Sequence, residues 1–348
     1  MRRTQRFVAV GIISAFVLGL LYASISRRPP VEVDSGTRLL MGTFARVVVI
    51  ARSERAANAC IKAAFDVQDR IEALMSYHRD DSELNRVNRY AAQKPMPVNP
   101  MTFQVLRQAI HFSELSEGVF DVTVGPLVDL WRTAGEANEP PSEEALAEAR
   151  RKVGYKKLIL DDKAATVRFA EEGMRIDLGG IAKGYAVDKA VEAMQKEGAL
   201  GGMVDLGGNI RCFGQAPRGQ EKWRIGLQDP NVAPDEFDGS KYLLVLEIAD
   251  ESVATSGDYR RFAVVKGEKE SHILDTRSGK GAGKLVSDTI LASDAITADA
   301  LSTAVNVLGP EAGMALIERL PSVEAILIPA DRPDTLLYSS GARAYVSE

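Results

Sequence analysis

The chain has 348 residues, a formal net charge of −5, 45% apolar and 26% charged residues. That balance excludes a disordered chain, and with no basic block or nucleic-acid-reading motif it excludes a nucleic-acid-binding protein. The two cysteines, Cys60 and Cys212, show no CxxC or metal spacing; they read as buried small hydrophobes, and no disulfide is signalled.

In chain order, the basic start MRRTQR leads into an apolar run from Phe7 to Ile25, closed by Arg27 and Arg28. A run of about twenty residues spans a bilayer core of roughly 30 Å as a helix. Residues 1–30 therefore read as a membrane anchor or signal segment, the uncleaved anchor being favoured. The charge of the leading flank puts it in the cytoplasm and the remainder across the membrane. Residues 31–348 read as one unit.

Thr37 to Ala51 predicts a strand pair or a bent strand centred on Met41-Gly42-Thr43. Ser53 to Met75 predicts a long amphipathic helix, with Ala56, Cys60, Ala63, Ala64, Val67, Ile71 and Leu74 at helical spacing. Ser82 is a suitable N-cap for a short helix, and Pro100 to Ser116 is a further helix. Gly118 to Trp131 reads as strand-like with a turn at Gly125-Pro126, Thr133 to Pro141 as a loop, and Ser142 to Val153 as a helix. A hairpin follows around Asp161-Asp162-Lys163. Arg175 to Leu178 reads as the end of a strand, Gly179-Gly180 as a turn, and the stretch after it as a helix. Gly201 to Phe213 is strand, glycine turn, strand, and repeats the tetrapeptide DLGG. Further strands, helices over Asp294–Leu308 and Glu311–Leu320, and two short strands complete the chain. Strands joined by short turns favour an α+β layout over a doubly wound parallel sheet.

Several stretches carry chemistry. A glycine turn running into a helix start offers backbone N–H groups and a dipole to a phosphate, with Asp177 on one side and Lys183 on the other; a βα turn with a capping aspartate and a solvated lysine explains the same residues. Asp299 and Thr303 are one helical turn apart and share a face, a spacing that lets both reach a hard cation. Alternatively Thr303 bonds back to its own helix and Asp299 sits in the first turn. His272 is one of three histidines and suits a general base. Asp121, between apolar neighbours, is a strand-end residue or a buried acceptor aimed at a ligand. Tyr77 and His78 offer a flat face for ring stacking.

Taken together, the motifs resemble the ApbE family of FAD:protein FMN transferases. The resemblance runs over most of residues 37–310, on MGT at Met41, SYHRDDSELNRVN at Ser76, GVFDVTVGPLVDLW at Gly118, DLGGIAKGYAVD at Asp177, DLGGNI at Asp205, TSGDYRR at Thr255, HILDTRSG at His272 and ADALSTA at Ala298. It implies a mixed α/β catalytic unit of that type. The activity it implies is magnesium-dependent transfer of the FMN half of FAD to a threonine or serine hydroxyl of a target protein, with AMP released.

Implied targets are subunits of sodium-pumping quinone reductases and Rnf-type complexes, met on the periplasmic face of the bacterial inner membrane. The flavin site it implies lies on Met41, Val119, Phe120, Asp121, Asp177, Lys183, His272 and Ile273. The magnesium site lies on Asp299, Thr303 and the Gly180 carbonyl, with Ser302 as a further candidate. His272 is implied as the base, with Asp275 in reserve. Where many members carry S-x-Y, this chain reads Ser76-Tyr77-His78, so the stacking residue is Tyr77 or His78. A FAD pyrophosphatase and a non-catalytic FAD-binding protein are the other readings of the same motifs.

Overall fold

A hairpin sets the first edge of the main sheet. In the computed structural model, which describes residues 29–230, 232, 242–257 and 262–347, Val31–Leu40 and Thr43–Ala51 pair antiparallel around Met41 and Gly42. Both turn residues have positive φ, 49° and 68°, as the two-residue turn between twisted strands requires. From this edge eight strands follow in the order Val31–Leu40, Thr43–Ala51, Gly201–Leu206, Asn209–Gly214, Ser252–Gly257, Leu285–Ala292, Glu324–Pro329 and Leu337–Tyr338. Every neighbouring pair is antiparallel.

The sheet is covered on both faces, which explains why Val47 to Ala51 is an unbroken apolar run. Val47, Val49 and Ala51 point into a core shared with the helices Glu54–Met75, Ala182–Lys196 and Ala295–Leu308. Val48 and Ile50 point the other way, onto Cys212, Trp223, Ile225, Leu246 and Ile248 beneath the hairpin of Trp223–Gln228 and Tyr242–Ile248. The period of two thus divides one strand between two cores. Cys60 and Cys212 are both buried and free.

The Glu54–Met75 helix starts at Ser53, whose hydroxyl accepts from Ala56 N at 3.3 Å. Its buried stripe is Ala57, Cys60, Ala64, Gln68, Ile71 and Met75; Cys60, Ala64 and Ile71 lie in it as expected, while Ala56, Ala63, Val67 and Leu74 are only partly buried. Ser82 caps Glu83–Tyr90 through Asn85 N at 3.0 Å, and the hairpin of Leu158–Asp161 and Thr166–Phe169 forms as expected.

Three expectations fail. Gly118 to Val124 is not a strand, and the chain does not turn at Gly125-Pro126 but enters a helix, Gly125–Ala137, with proline in its first turn. Proline there fixes a helical φ and loses no intrahelical bond. The helix then runs through most of the stretch read as a loop, ending at Asn138 in the left-handed conformation, φ 52°. Arg175 to Leu178 is extended but belongs to no sheet; its one ladder contact is a parallel bridge from Arg175 to Val124. The anchor or signal segment, over residues 1–28, and Asp258 to Arg261 of the TSGDYRR motif lie outside the described residues. Among the described residues no helix is long and apolar enough to cross a membrane.

Candidate active site

Two helix starts meet at the centre of the molecule. Ala182–Lys196 crosses the start of Ala295–Leu308 at Gly184, where a Cβ would lie 2.2 Å from Ala295 O and 2.8 Å from Asp299 Cβ. Only glycine allows that approach. It brings the Gly184 N–H onto Asp299 Oδ2 at 2.8 Å, so one oxygen of a carboxylate that is 4% exposed is held by an otherwise unpaired helix N–H. The other oxygen accepts from Lys183 Nζ at 3.2 Å. Asn209 closes the group: with its carbonyl turned to the ammonium it accepts from Lys183 Nζ at 2.7 Å and donates to Asp299 Oδ1 at 3.1 Å.

Thr303 lies one turn beyond Asp299, and a Cβ on Gly180 would be 2.8 Å from its Oγ1. Among the described residues the Thr303 hydroxyl makes no hydrogen bond, so it does not bond back to its helix. Nor is Asp299 in the first turn; the cap is Asp294, whose carboxylate accepts from Thr297 N at 2.9 Å. Gly180, Lys183, Asp299 and Thr303 are therefore brought together. Among the described residues there is no cluster of three His, Cys, Asp or Glu side chains for a metal. Any divalent ion here would rest on mixed oxygen donors, a hard set that suits magnesium. The Lys183 ammonium already stands as a cation on Asp299, and the Thr303 hydroxyl is available, so the residues fit such an ion.

Around this group the flavin candidates divide. Phe120 is buried with its ring beside Gly180. Val119 and Ile273 pack with Ala282 and Val307. Val307 is one turn past Thr303, which places the HILD segment at the far end of the helix bearing Asp299. His272 is exposed at the start of that segment. Asp177 accepts from Gly179 N at 2.7 Å; burial pushes its carboxyl above the usual range, against that N–H and the charge of His78. Met41 sits at the hairpin tip, its N–H donating to Glu72 at 3.1 Å. Thr43, two residues on, lies against Gly207, two residues before Asn209.

Four candidates are engaged elsewhere. Asp121 is in a turn rather than a strand: Oδ1 accepts from the Thr123 N–H and hydroxyl at 2.8 and 2.7 Å, and Oδ2 from Tyr155 N at 2.7 Å. Ser302 faces the sheet, its hydroxyl 2.6 Å from both Asp288 Oδ1 and Ser256 Oγ. Asp275 forms a two-point pair with Arg277 at 2.9 and 2.8 Å; burial alone would raise its carboxyl, but the guanidinium and backbone donors hold it below the usual range. Tyr77 is buried, donating to Gly125 O at 3.3 Å under the Arg175 guanidinium, while His78 is exposed.

Two polar residues of the centre are missing from the sequence reading. Asn209 follows the second DLGG, so the repeated tetrapeptide was its signal. Asp188 ends DLGGIAKGYAVD, one turn after Gly184 on the same helix face.

The glycine turn runs into a helix start that faces Asp299 and Thr303 with Lys183 between them, an arrangement suited to phosphate handling, and the comparisons with known proteins give the class as flavin transferase. The chain belongs to the ApbE family, whose model matches residues 41–327. It is 33% identical over 337 residues to the FAD:protein FMN transferase of Treponema pallidum, covering 93% of this chain and 91% of that protein. Among solved structures it resembles the ApbE protein of Thermotoga maritima (TM-score 0.79, 32% identity, 92% of this chain and 100% of that one). It also resembles the flavin transferase ApbE of Vibrio cholerae (TM-score 0.77, 31% identity, 91% and 100%).

Proposed function

We infer that this chain is a FAD:protein FMN transferase that moves the FMN half of FAD onto a threonine or serine hydroxyl of a target protein. The convergence of Gly180, Lys183, Asp299 and Thr303 at one helix crossing carries this reading. Magnesium is the metal proposed, held by Asp299, Thr303 and the Gly180 carbonyl. When bound, it would neutralise charge building on the pyrophosphate.

The chain's own residues supply the rest. Lys183, drawn off Asp299, offers its ammonium to the phosphates, and the Gly179-Gly180 turn gives close backbone approach. Phe120 walls the turn, and His78 is the aromatic ring available for stacking, since Tyr77 is buried under Arg175. The acceptor oxygen attacks the FMN-side phosphorus, the P–O bond to the AMP phosphate breaks, and the hydroxyl proton passes to His272. Asp275 is a poor base because its pairing with Arg277 lowers its affinity for a proton.

Targets are proposed to be subunits of sodium-pumping quinone reductases or Rnf-type complexes, reached on the periplasmic side of the inner membrane through residues 1–30 as anchor or signal. The test is His272→Ala. FAD binding, read by flavin fluorescence quenching, is expected to persist while transfer to the acceptor falls about 100-fold, within the range of a lost general base. Loss of FAD binding would make His272 a binding residue instead.

A further inference from the structure

The two helices that form the centre exchange carboxylates. Asp299, on Ala295–Leu308, accepts from the Gly184 N–H of Ala182–Lys196 at 2.8 Å. Asp188, one turn past Gly184, returns the link: Oδ1 accepts from Ala295 N and Oδ2 from Ile296 N, both at 2.9 Å. Each carboxylate thus satisfies first-turn N–H groups of the other helix, where the dipole favours negative charge. Of these first-turn N–H groups the Asp294 carboxylate takes that of Thr297, and those of Ala295 and Ile296 go to Asp188.

Asp188 is 6% exposed, and its remaining partner is Arg211, through Nη1 on Oδ1. Arg211 lies two residues beyond Asn209, which touches both Asp299 and Lys183. One buried carboxylate therefore ties together the helix carrying Lys183, the helix carrying Asp299 and Thr303, and the strand carrying Asn209. Two links one turn apart fix sliding as well as rotation of one helix on the other. Gly180 lies four residues before Gly184 and Thr303 four after Asp299, so the register of that crossing sets how Gly180 meets Thr303.

We propose that Asp188 is a positioning residue for the cation site: it holds Ala295–Leu308 in register on Ala182–Lys196 so that Asp299, Thr303 and the Gly180 carbonyl face one ion. The inference rests on the metal reading given above. A merely structural role would lower melting temperature; a positioning role moves metal affinity. Residues that orient metal ligands typically change affinity by about 10–100-fold when altered.

The experiment compares the full chain with Asp188→Asn, which keeps side-chain size but places a donor against the helix N–H groups. Mn2+ binding is measured by electron paramagnetic resonance, and FAD binding in chelator by fluorescence. Mn2+ affinity is expected to fall about tenfold or more, FAD affinity in chelator to stay within about twofold, and transfer to recover at high Mg2+. Mn2+ affinity equal to that of the unaltered chain would overturn the proposal while leaving the metal reading intact. Absence of Mn2+ binding by the unaltered chain would overturn that reading and this proposal with it. If Asp188→Asn does not fold, Arg211→Lys loosens the same carboxylate and is expected to weaken Mn2+ by about threefold or more; unchanged affinity there overturns the proposal equally.

Discussion

The tetrapeptide Asp-Leu-Gly-Gly occurs at Asp177 to Gly180 and at Asp205 to Gly208, and the two copies build different structures. In both the aspartate accepts from a glycine N–H of its own turn, but Asp177 takes that of Gly179, two residues on, at 2.7 Å, and Asp205 that of Gly208, three residues on, at 2.9 Å. After that the following residues decide. Asn209-Ile-Arg-Cys continues the sheet, and Gly207 and Gly208 take φ of 65° and 88° to close a hairpin between Leu206 and Asn209. Ile181-Ala-Lys-Gly continues as a helix; Gly179 and Gly180 keep ordinary φ, and what Gly180 supplies is room, because Thr303 stands where its Cβ would be. The first copy uses glycine for close approach alone; the second uses it for backbone conformation, with Gly207 also close against Thr43. Both turns nonetheless deliver a residue, Lys183 or Asn209, to the same oxygen of Asp299.

The largest effect is expected where both copies converge. Asp299→Ala removes the acceptor shared by Lys183, Asn209 and Gly184, and transfer should fall on the order of 1000-fold, about 4 kcal/mol of barrier. Acceptor mass spectrometry at fixed Mg2+ checks it, and near-normal transfer would remove Asp299 from the chemistry. Next comes Gly180→Ala, whose methyl meets Thr303 Oγ1. Activity should drop about 100-fold with a shift of only about 1 kcal/mol in urea unfolding.

Gly207→Ala should do the reverse. A positive φ and a Cβ 2.4 Å from Thr43 Oγ1 should lower stability by about 1–3 kcal/mol, with activity of the folded fraction near normal. If Gly180→Ala proved the more destabilising of the two, the distinction between approach and conformation would be lost. The smallest effect concerns Asp275. Its carboxyl lies below the usual range in the folded chain, so its stabilising contribution is complete above the ordinary carboxylate value and is lost as pH falls through the lowered one. Asp275→Asn should cost about 0.5–1 kcal/mol at neutral pH and flatten the acid limb of a stability–pH curve.

Much of this was legible in the sequence, for identifiable reasons. Period-two and period-3.6 patterns gave the hairpins and long helices, and Ser53, Ser82 and Ser142 marked helix starts that the structure keeps. Gly118 to Trp131 reads as a strand because Phe120, Val122 and Val124 alternate; Phe120 and Val122 are buried in the main core, Val119 packs on Ile273 and Val124 is partly buried, with Asp121 tying the turn. The Glu54–Met75 stripe was legible at Cys60, Ala64 and Ile71 but not at Gln68, a polar side chain fully buried in it. The grouping of Lys183, Asp299 and Thr303 followed from motif order. Asn209 was marked only by the repeated tetrapeptide before it, and Asp188 by nothing local, because its role is a contact with a helix far away in sequence.

The most direct test of the account incubates the full chain with FAD, Mg2+ and a threonine-bearing quinone-reductase subunit from the same cell, and weighs the acceptor by mass spectrometry. The account predicts a mass gain equal to one FMN residue, AMP in solution, and neither product in the presence of chelator. Free FMN and AMP over an unmodified acceptor, or FAD left intact, would contradict it.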